Sequence, residues 1–537
     1  MNNVGIKPCR TVKPGFWYHG AYFSISVHSQ KIQKNHMQYS KSKYWDFCAP
    51  FAGILLTLSF APFDYSYFIL VALIFLFASW QNISAKRAAL RGYLFGLGSF
   101  GLGVSWVYIS IHDYGGGNVI ASTLLTGLFV TFWTLFPALT GYAVVKLMPK
   151  NRWLIRVILM PVIWMLIEYL RGYLVLNGFP WLQIAYSQLE TPLSGYIPLV
   201  GVYGTGFIAV LTASVVVESW HNKKQLLLLT TALAVLWGAG GLLRTVKWTH
   251  EIGDPIRFSL IQGNITQDQK WQPENKINTL LKYKKMTEEH WDSNVIIWPE
   301  TAIPAYLDQV KEAFLLPLAR DAKQHNTDLI ISVPVHESTQ NENFNAVITM
   351  GKEEGIYRKT HLLPFGEYLP LQPLSGFVLS MINIRLGNFT AGSIAQPLLK
   401  AGGFSFITSI CYEDAFGDVN IRGISDAAYL VNVTNDAWFG NSIEPHQHLQ
   451  IARMRAMETG RYLLRATNTG MTAVVAPDGK IIKQAPLFTT TVLTESITPM
   501  GGLTPFAIWG DKPVIIAIIV LLLCLMLYDR FFKIKIA

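Results

Sequence analysis

The chain has 537 residues, 51% of them hydrophobic and only 15% charged, with a mean hydropathy of +0.30; a soluble protein cannot hide that much apolar side chain, so part of it must face lipid. The length exceeds what one hydrophobic core organises, and two or more domains are expected. A net charge of +10 could serve nucleic acid, but the lysines and arginines stand mostly beside apolar segments, where membrane topology accounts for them, and no nucleic-acid partner is expected.

Residues 1–46 are polar and basic, with Lys7, Arg10, Lys13, Lys31, Lys34, Lys41 and Lys43 and no apolar stretch that could act as a cleavable signal; they read as a cytoplasmic amino-terminal extension. Met37 sits just before the first apolar run and is the expected natural start, which the mass of the native amino terminus decides. About seven apolar segments follow, at 47–62, 66–80, 89–111, 118–148, 154–175, 195–219 and 225–243. Several approach the ~20 residues that span a hydrocarbon core, so residues 47–245 are expected to form a helical bundle. Lys86, Arg87 and Arg91 follow the second segment, Lys146, Lys150, Arg152 and Arg156 flank the gap after the fourth, and Lys223 and Lys224 follow the sixth. This alternation places the amino terminus in the cytoplasm and everything after Leu243 on the far side. In residues 506–537 a last apolar run, Pro513 to Leu527, precedes Arg530, Lys533 and Lys535 and brings the chain back, giving an eight-span bundle.

Transporters and channels are the commonest multi-span proteins, but they usually carry ionisable groups within the spans and internal repeats, and no repeat is visible here. Glu168 and Arg171, one helical turn apart, are expected to form a local ion pair. Gly178-Phe179-Pro180-Trp181 and Tyr186-Ser187-Gln188 read as an external loop with interface aromatics.

Residues 246–505 have the composition of a globular domain. Strand-like runs lie at Arg257–Gln262, Val295–Trp298, Leu329–Val333, Ala346–Met350, Phe404–Ile410, Tyr429–Val433 and Thr472–Ala476, with helical patterns at Pro273–His290, Val310–His325 and His446–Arg461. Such alternation predicts an α/β sandwich outside the membrane. Three of the strands lead into reactive chemistry. The second runs into Pro299-Glu300-Thr301, where flanking prolines fix a carboxylate; the fourth is followed by Lys359 and Glu367; the fifth delivers Cys411 to the turn Cys411-Tyr412-Glu413-Asp414. A thiol at a strand end in the company of a carboxylate and an amine is the pattern of an activated nucleophile.

The four cysteines, Cys9, Cys48, Cys411 and Cys524, have neither framework nor metal spacing, and no structural disulfide is expected. His446 and His448 lack further ligands at metal-site spacing, and no metal site is predicted. Asn435 and Asp436 are expected to build the turn beneath the site. The apolar loop with Phe377, Val378, Leu379, Met381 and Ile382 is expected to dip into the outer leaflet as a substrate gate; unchanged activity on membrane-embedded lipid after Val378→Asp and Met381→Asp would end that idea.

The runs WPETAIP (298–304), RKTHLLPFGEYLP (358–370), ICYEDAF (410–416), NVTNDAWFG (432–440) and HQHLQIARMRAMETGRYLLRATNTG (446–470) resemble the carbon–nitrogen hydrolase (nitrilase) superfamily. Taken with the bundle and the loop GFPWLQIAYSQ (178–188), the chain from about Tyr44 to Tyr528 is similar to the apolipoprotein N-acyltransferase family. That resemblance implies a nitrilase-like αββα sandwich fused to the bundle, with Glu300 as general base, Lys359 as electrophilic stabiliser and Cys411 as nucleophile. Glu367 and Glu413 are implied to hold the lysine and shape the acyl pocket, with Tyr412 and Trp271 as further supporting or substrate-binding residues. It also implies a membrane phospholipid, phosphatidylethanolamine, as acyl donor, a diacylglyceryl-modified apolipoprotein as acceptor, no cofactor, and a multi-pass protein of the bacterial inner membrane with its catalytic domain in the periplasm. The chemistry is coherent: a thiol with a free pKa near ~8.5 needs a base and a cation to react at neutral pH, and a lysine aimed at the oxyanion is worth roughly 10²–10³ in rate. A membrane-tethered amidase would use the same triad and release the acyl group to water; a transporter with an external binding domain would survive Cys411→Ala.

Overall fold

The computed structural model describes residues 43–149, 152–221, 225–370 and 388–536. The basic extension with Met37, the loop residues Phe377, Val378, Leu379, Met381 and Ile382, and Lys150, Lys223 and Lys224 lie outside the described residues.

The apolar segments of the first half are helices: α1 (residues 43–57), α2 (Phe68–Ser79), α3 (Ala85–Gly103), α4 (Val119–Leu147), α5 (Trp153–Tyr169), α6 (Ile197–His221) and α7 (Leu226–Leu243). Local chemistry fixes their starts: the Ser84 hydroxyl accepts from the Arg87 N–H at the head of α3, and the Asn118 side chain from Ala121 at the head of α4. Among the described residues four helical stretches are long and apolar enough to cross a membrane, Val119–Leu147, Trp153–Asn177, Pro192–Trp220 and Leu226–Leu243, or five if Ala85–Gly103 and Val107–Tyr114, bent by 60°, form one span. This is a membrane protein. Phe68–Ser79 and the late segment Lys512–Tyr528 are shorter apolar helices. The span containing α6 is central, with 72% of its apolar window buried, whereas α7 is peripheral at 11%. α3 and α4 approach until a Cβ on Gly92 would stand 2.2 Å from the Pro137 carbonyl oxygen, the close packing that small residues allow between membrane helices.

Two expectations about the bundle need correction. Glu168 and Arg171 do not pair. Glu168 accepts from the Trp164 indole at 3.2 Å, while Arg171 donates to the carbonyls of Phe179 and Trp181 at 2.7 and 2.5 Å; the main chain that follows α5 turns back over the arginine and offers it acceptors closer than the carboxylate. The 178–188 segment, in turn, is no exposed interface loop: Phe179, Trp181, Tyr186, Ser187 and Gln188 are all buried, because the segment packs between the bundle and the second half of the chain. Arg156, read from its charge as a topology signal, is also structural, since it holds Glu218 at 3.0 Å and so ties α5 to α6.

Among the described residues the second half contains two six-stranded sheets. The first has β1 (Ile256–Gln262), β2 (Val295–Ile297), β3 (Asp328–Glu337), β4 (Glu342–Met350), β5 (Gly355–Arg358) and β12 (Thr491–Ile497), in the order β12-β1-β2-β3-β4-β5. The second has β6 (Leu399–Ala401), β7 (Phe404–Ile410), β8 (Ala427–Thr434), β9 (Leu463–Thr467), β10 (Ala473–Val475) and β11 (Ile481–Gln484), in the order β11-β10-β9-β8-β7-β6. Each sheet has a parallel trio at its heart, β1-β2-β3 and β7-β8-β9, flanked by antiparallel strands.

The period of two along each strand builds the layers. Phe258, Leu260, Val295 and Ile297 face inward against Phe406, Ile410, Val431 and Val433 of the other sheet. Ile261, Ile296, Leu329 and Ile331 face outward and pack on α8 (Lys276–Glu288) and α9 (Leu316–Gln324) through Leu280, Tyr283 and Leu318. Ile407, Leu430 and Leu463 do the same against Leu449, Ala452 and Ala456 of α10 (Glu444–Thr459). The result is the expected αββα sandwich, followed by α11 (Lys512–Ile536). Five strands of these two sheets escaped the sequence reading. β5, β6 and β11 are short, β9 carries the buried Arg465 and β12 alternates polar with apolar residues, so none offers the continuous apolar run on which such a reading relies.

Candidate active site

β2 ends at Ile297, and the chain turns through Pro299 so that Glu300 stands at the end of the first parallel trio; β7 ends at Ile410, and Cys411 stands at the same end of the second. Lys359 follows β5, a strand beyond the one from which it was expected to project, and β5 pairs with β4 so that Lys359 N–H reaches the Asn345 carbonyl at 2.8 Å. Sheet register thus brings together three residues far apart in sequence.

Glu300, Lys359 and Glu367 are all buried and belong to one array. The Lys359 ammonium donates to both carboxylate oxygens of Glu367, at 2.9 and 2.8 Å. Asn345 Nδ2 donates to Glu367 Oε1 at 3.0 Å and to Glu300 Oε1 at 2.8 Å. With the Leu363 N–H on its Oε2 at 2.8 Å, Glu367 is saturated. Among the described residues no donor reaches the second oxygen of Glu300. Two glutamates that look alike in sequence therefore differ in kind: one is occupied holding the lysine, and the other has an oxygen free to accept a proton.

Burial opposes a charge on Lys359, but Glu367, Cys411, Glu300 and Glu413 outweigh it and keep the amine protonated. The charges of Glu300 and Lys359 both act on Cys411. Burial and the Glu300 charge push its thiol well above the ordinary range, only partly countered by Lys359 and a hydrogen bond with Thr434. The resting sulfur is therefore a thiol, and it needs a base at the moment it attacks. Cys411 has φ +51°, a left-handed conformation that a side-chain-bearing residue holds only when its surroundings impose it.

Those surroundings lie on both sides of the cysteine. Glu413 was expected to hold Lys359; instead it staples the two loops. Its Oε1 accepts from the N–H groups of Thr360 and His361 at 2.7 and 3.0 Å and from the hydroxyls of Thr360 and Tyr357, while its Oε2 accepts from Ile410 N–H at 2.9 Å. Among the described residues no hydrogen bond or ion pair joins it to the ammonium, although its charge still acts on Lys359. Beneath the turn, Asp414 and Asp436 are bridged twice, by His448 at 2.9 and 3.0 Å and by Arg465 at 2.9 and 3.2 Å. Arg465 also donates to Asn432 at 2.6 Å, whose amide reaches the Cys411 carbonyl. Burial and Arg465 oppose a charge on His448, but the two aspartates push it up to about 10. Burial and Asp436 raise Glu444 well above its usual range. Asp436, Glu444 and His448 lie close enough to share a cation, yet with Glu444 protonated the two aspartates already balance the imidazolium and the guanidinium. Asn435 joins the turn beneath the site as expected, through Gln267 and Asn468.

The bundle grips this centre directly. Tyr412 Oη donates to the Gly178 carbonyl at 2.8 Å, His361 Nε2 contacts the Asn177 carbonyl at 2.8 Å, and Asn177 Nδ2 donates to the Leu362 carbonyl at 3.0 Å. Trp106 and Trp181 both donate to Gln447 of α10. Trp271 is half exposed, at 52%, on the segment leading to α8, and is not part of the buried arrays. The sequence reading missed Asn345, which links the two glutamates; an asparagine in an apolar strand is its only signal.

Residues 52–215 match the Apolipoprotein N-acyltransferase N-terminal domain family and residues 257–502 match Carbon-nitrogen hydrolase. A protein of Methylococcus capsulatus named Apolipoprotein N-acyltransferase is 49% identical over 465 residues, 86% of this chain and 92% of that one. The chain belongs to the apolipoprotein N-acyltransferase family. It is an acyltransferase of the carbon–nitrogen hydrolase superfamily. A second relative of that name, from Nitrosomonas europaea, is 39% identical over 484 residues, 89% of this chain and 97% of that one. Among solved structures, Saccharomyces cerevisiae Nit3 of the nitrilase superfamily covers 47% of this chain and 93% of its own at 18% identity and a TM-score of 0.35.

Proposed function

We propose that the protein moves a fatty acyl chain from a membrane phospholipid, through a thioester on Cys411, to the α-amino group of the diacylglyceryl-modified cysteine at the amino terminus of an apolipoprotein. The observation that carries this reading is the buried array in which Asn345 links the half-free carboxylate of Glu300 to the Lys359–Glu367 pair, with Cys411 following the strand that ends at Ile410 and under the charge of both Glu300 and Lys359. In the first half-reaction Glu300 takes the thiol proton as sulfur attacks the ester carbonyl, Lys359 and the Tyr412 N–H stabilise the oxyanion, and Glu300 returns the proton to the departing lysophospholipid alkoxide. In the second the amine attacks the thioester carbonyl, loses its proton to Glu300, and the sulfur leaves and is reprotonated as the amide forms. Glu367 holds the lysine, Glu413 holds both loops, and Trp271 is read as a supporting or substrate-binding residue.

The same reading divides the chain into the extension to residue 46, a bundle over 47–245, a periplasmic catalytic domain over 246–505 and a final span with its cytoplasmic tail over 506–537. It gives eight crossings of the inner membrane, α1, α2 and α11 included, with both ends inside; the alternation of basic residues supports it. Phosphatidylethanolamine is the donor the reading names. The test is to incubate the purified protein with phospholipid carrying a labelled acyl chain and map the adduct by mass spectrometry. A thioester confined to the Cys411 peptide, and then label on the amine of a lipidated acceptor, is the expected result. Label released as free fatty acid in the presence of acceptor would point to an amidase, and an adduct on another residue would refute the assignment of Cys411.

A further inference from the structure

Lys270 has no part in the chemistry above, yet it is buried at 3% exposure directly beneath the Glu300 turn. Its ammonium donates to the Glu300 carbonyl oxygen at 3.1 Å and pairs with no carboxylate among the described residues. Lysine is almost never buried unpaired. Burial pulls this one down to about 8, against the opposing charges of Glu300 and Cys411.

The atom that Lys270 holds explains why a lysine is kept there. The Glu300 carbonyl belongs to the Glu300–Thr301 peptide, and the N–H of that same peptide donates to Ser332 Oγ on β3 at 2.9 Å. One peptide plane is therefore gripped at both ends by side chains. The next residue needs it: Thr301 has φ +48°, a left-handed backbone that a β-branched residue adopts only when its surroundings impose it. Released, Thr301 would relax to negative φ, and the plane that carries Glu300 would rotate with it. The support is itself rigid. Gln267, on the same short helix as Lys270, accepts from Asn435 Nδ2 at 2.9 Å; Asn435 accepts from Asn468 at 3.0 Å, and Asn468 holds both the N–H and the carbonyl of Ile265.

We propose that Lys270, together with Ser332, is a positioning residue that clamps the Glu300–Thr301 peptide and aims the Glu300 carboxylate at the Cys411 thiol. The proposal rests on the reading of Glu300 as the base. Misplacing a catalytic group by about an ångström costs roughly 10²-fold, so Lys270→Met should lower the rate of Cys411 acylation by roughly 10- to 10²-fold with KM for the phospholipid unchanged, and Lys270→Arg should recover part of the loss. Ser332→Ala should show a smaller loss of the same kind. The decisive readout is rescue: because glycine holds positive φ without strain, Thr301→Gly should restore several-fold of the rate in the Lys270→Met and Ser332→Ala backgrounds, which repair of a merely structural defect would not do. Wild-type acylation by a folded Lys270→Met protein, or no gain from Thr301→Gly in either background, overturns the clamp; where Lys270→Met fails to fold, the Ser332→Ala pair decides. Glu300→Gln separates the two readings: full acylation by that variant removes the base and the clamp together, whereas its inactivity beside a fully active Lys270→Met removes the clamp alone.

Discussion

Two buried polar arrays meet at Cys411, and they are built to opposite ends. The one facing the thiol, Glu300, Asn345, Glu367 and Lys359, leaves an oxygen of Glu300 without a donor among the described residues and the sulfur protonated. The one beneath the turn, Asp414, Asp436, His448 and Arg465, matches two carboxylates with two cations at 2.9 to 3.2 Å. An array left incomplete can change its protonation during a reaction, and a balanced one cannot change without losing a partner. The first is equipped for chemistry and the second for holding the backbone that presents the nucleophile.

Variants can break this contrast, and the largest effect is expected on the reactive side. Cys411→Ala should abolish the acyl adduct and lower turnover by about 10⁴-fold or more, while the thermal midpoint in detergent stays close to that of the parent; residual turnover within tenfold of wild type would sink the thioester. Arg465→Met should do the reverse, removing about 3–5 kcal/mol of stability by stranding two buried aspartates, read as a loss of the folded fraction in denaturant before any assay of rate. The pH dependence sharpens the same point. His448 titrates at about 10 in the folded protein against an ordinary value of 6.5, so its stabilisation is complete below 6.5 and is lost as pH rises through 10. The thermal midpoint should decline across that window, and His448→Gln should start lower and decline less; parallel curves would show that the imidazole carries no charge. At the join with the bundle, Tyr412→Phe removes the donor to Gly178 and should cost about 1–3 kcal/mol through the carbonyl left unpaired, measured by the same melt. Smallest of all, Trp271→Ala should move stability by no more than about 0.5 kcal/mol, because the ring is half exposed; a rise in KM without a stability change would mark it as a substrate contact.

Much of this was legible along the chain. Cys411, Glu300 and Lys359 stand next to strand ends in turns of distinctive composition, and such turns are local features. Asn345 and Lys270 were not legible, because an amide in an apolar strand and a lysine on a short helix have many ordinary uses, and only the partner 45 or 30 positions away tells them apart. Glu413 was misread for the same reason: its neighbour in sequence is the nucleophile, but its five donors come mainly from the Lys359 loop. The aromatic loop after α5 looked like a membrane interface because its composition is that of one, and its burial depends on a surface supplied by α10.

The greasy helical half, the alternating strands and helices of the other half, and the three residue types that carry the proposed chemistry are already written in the amino-acid order, since hydrophobic period and turn composition act over a few residues. Which glutamate holds the lysine, which stays free, and how the bundle clasps the nucleophile's turn emerge only on folding, because those outcomes depend on sheet register and on groups that meet across the fold.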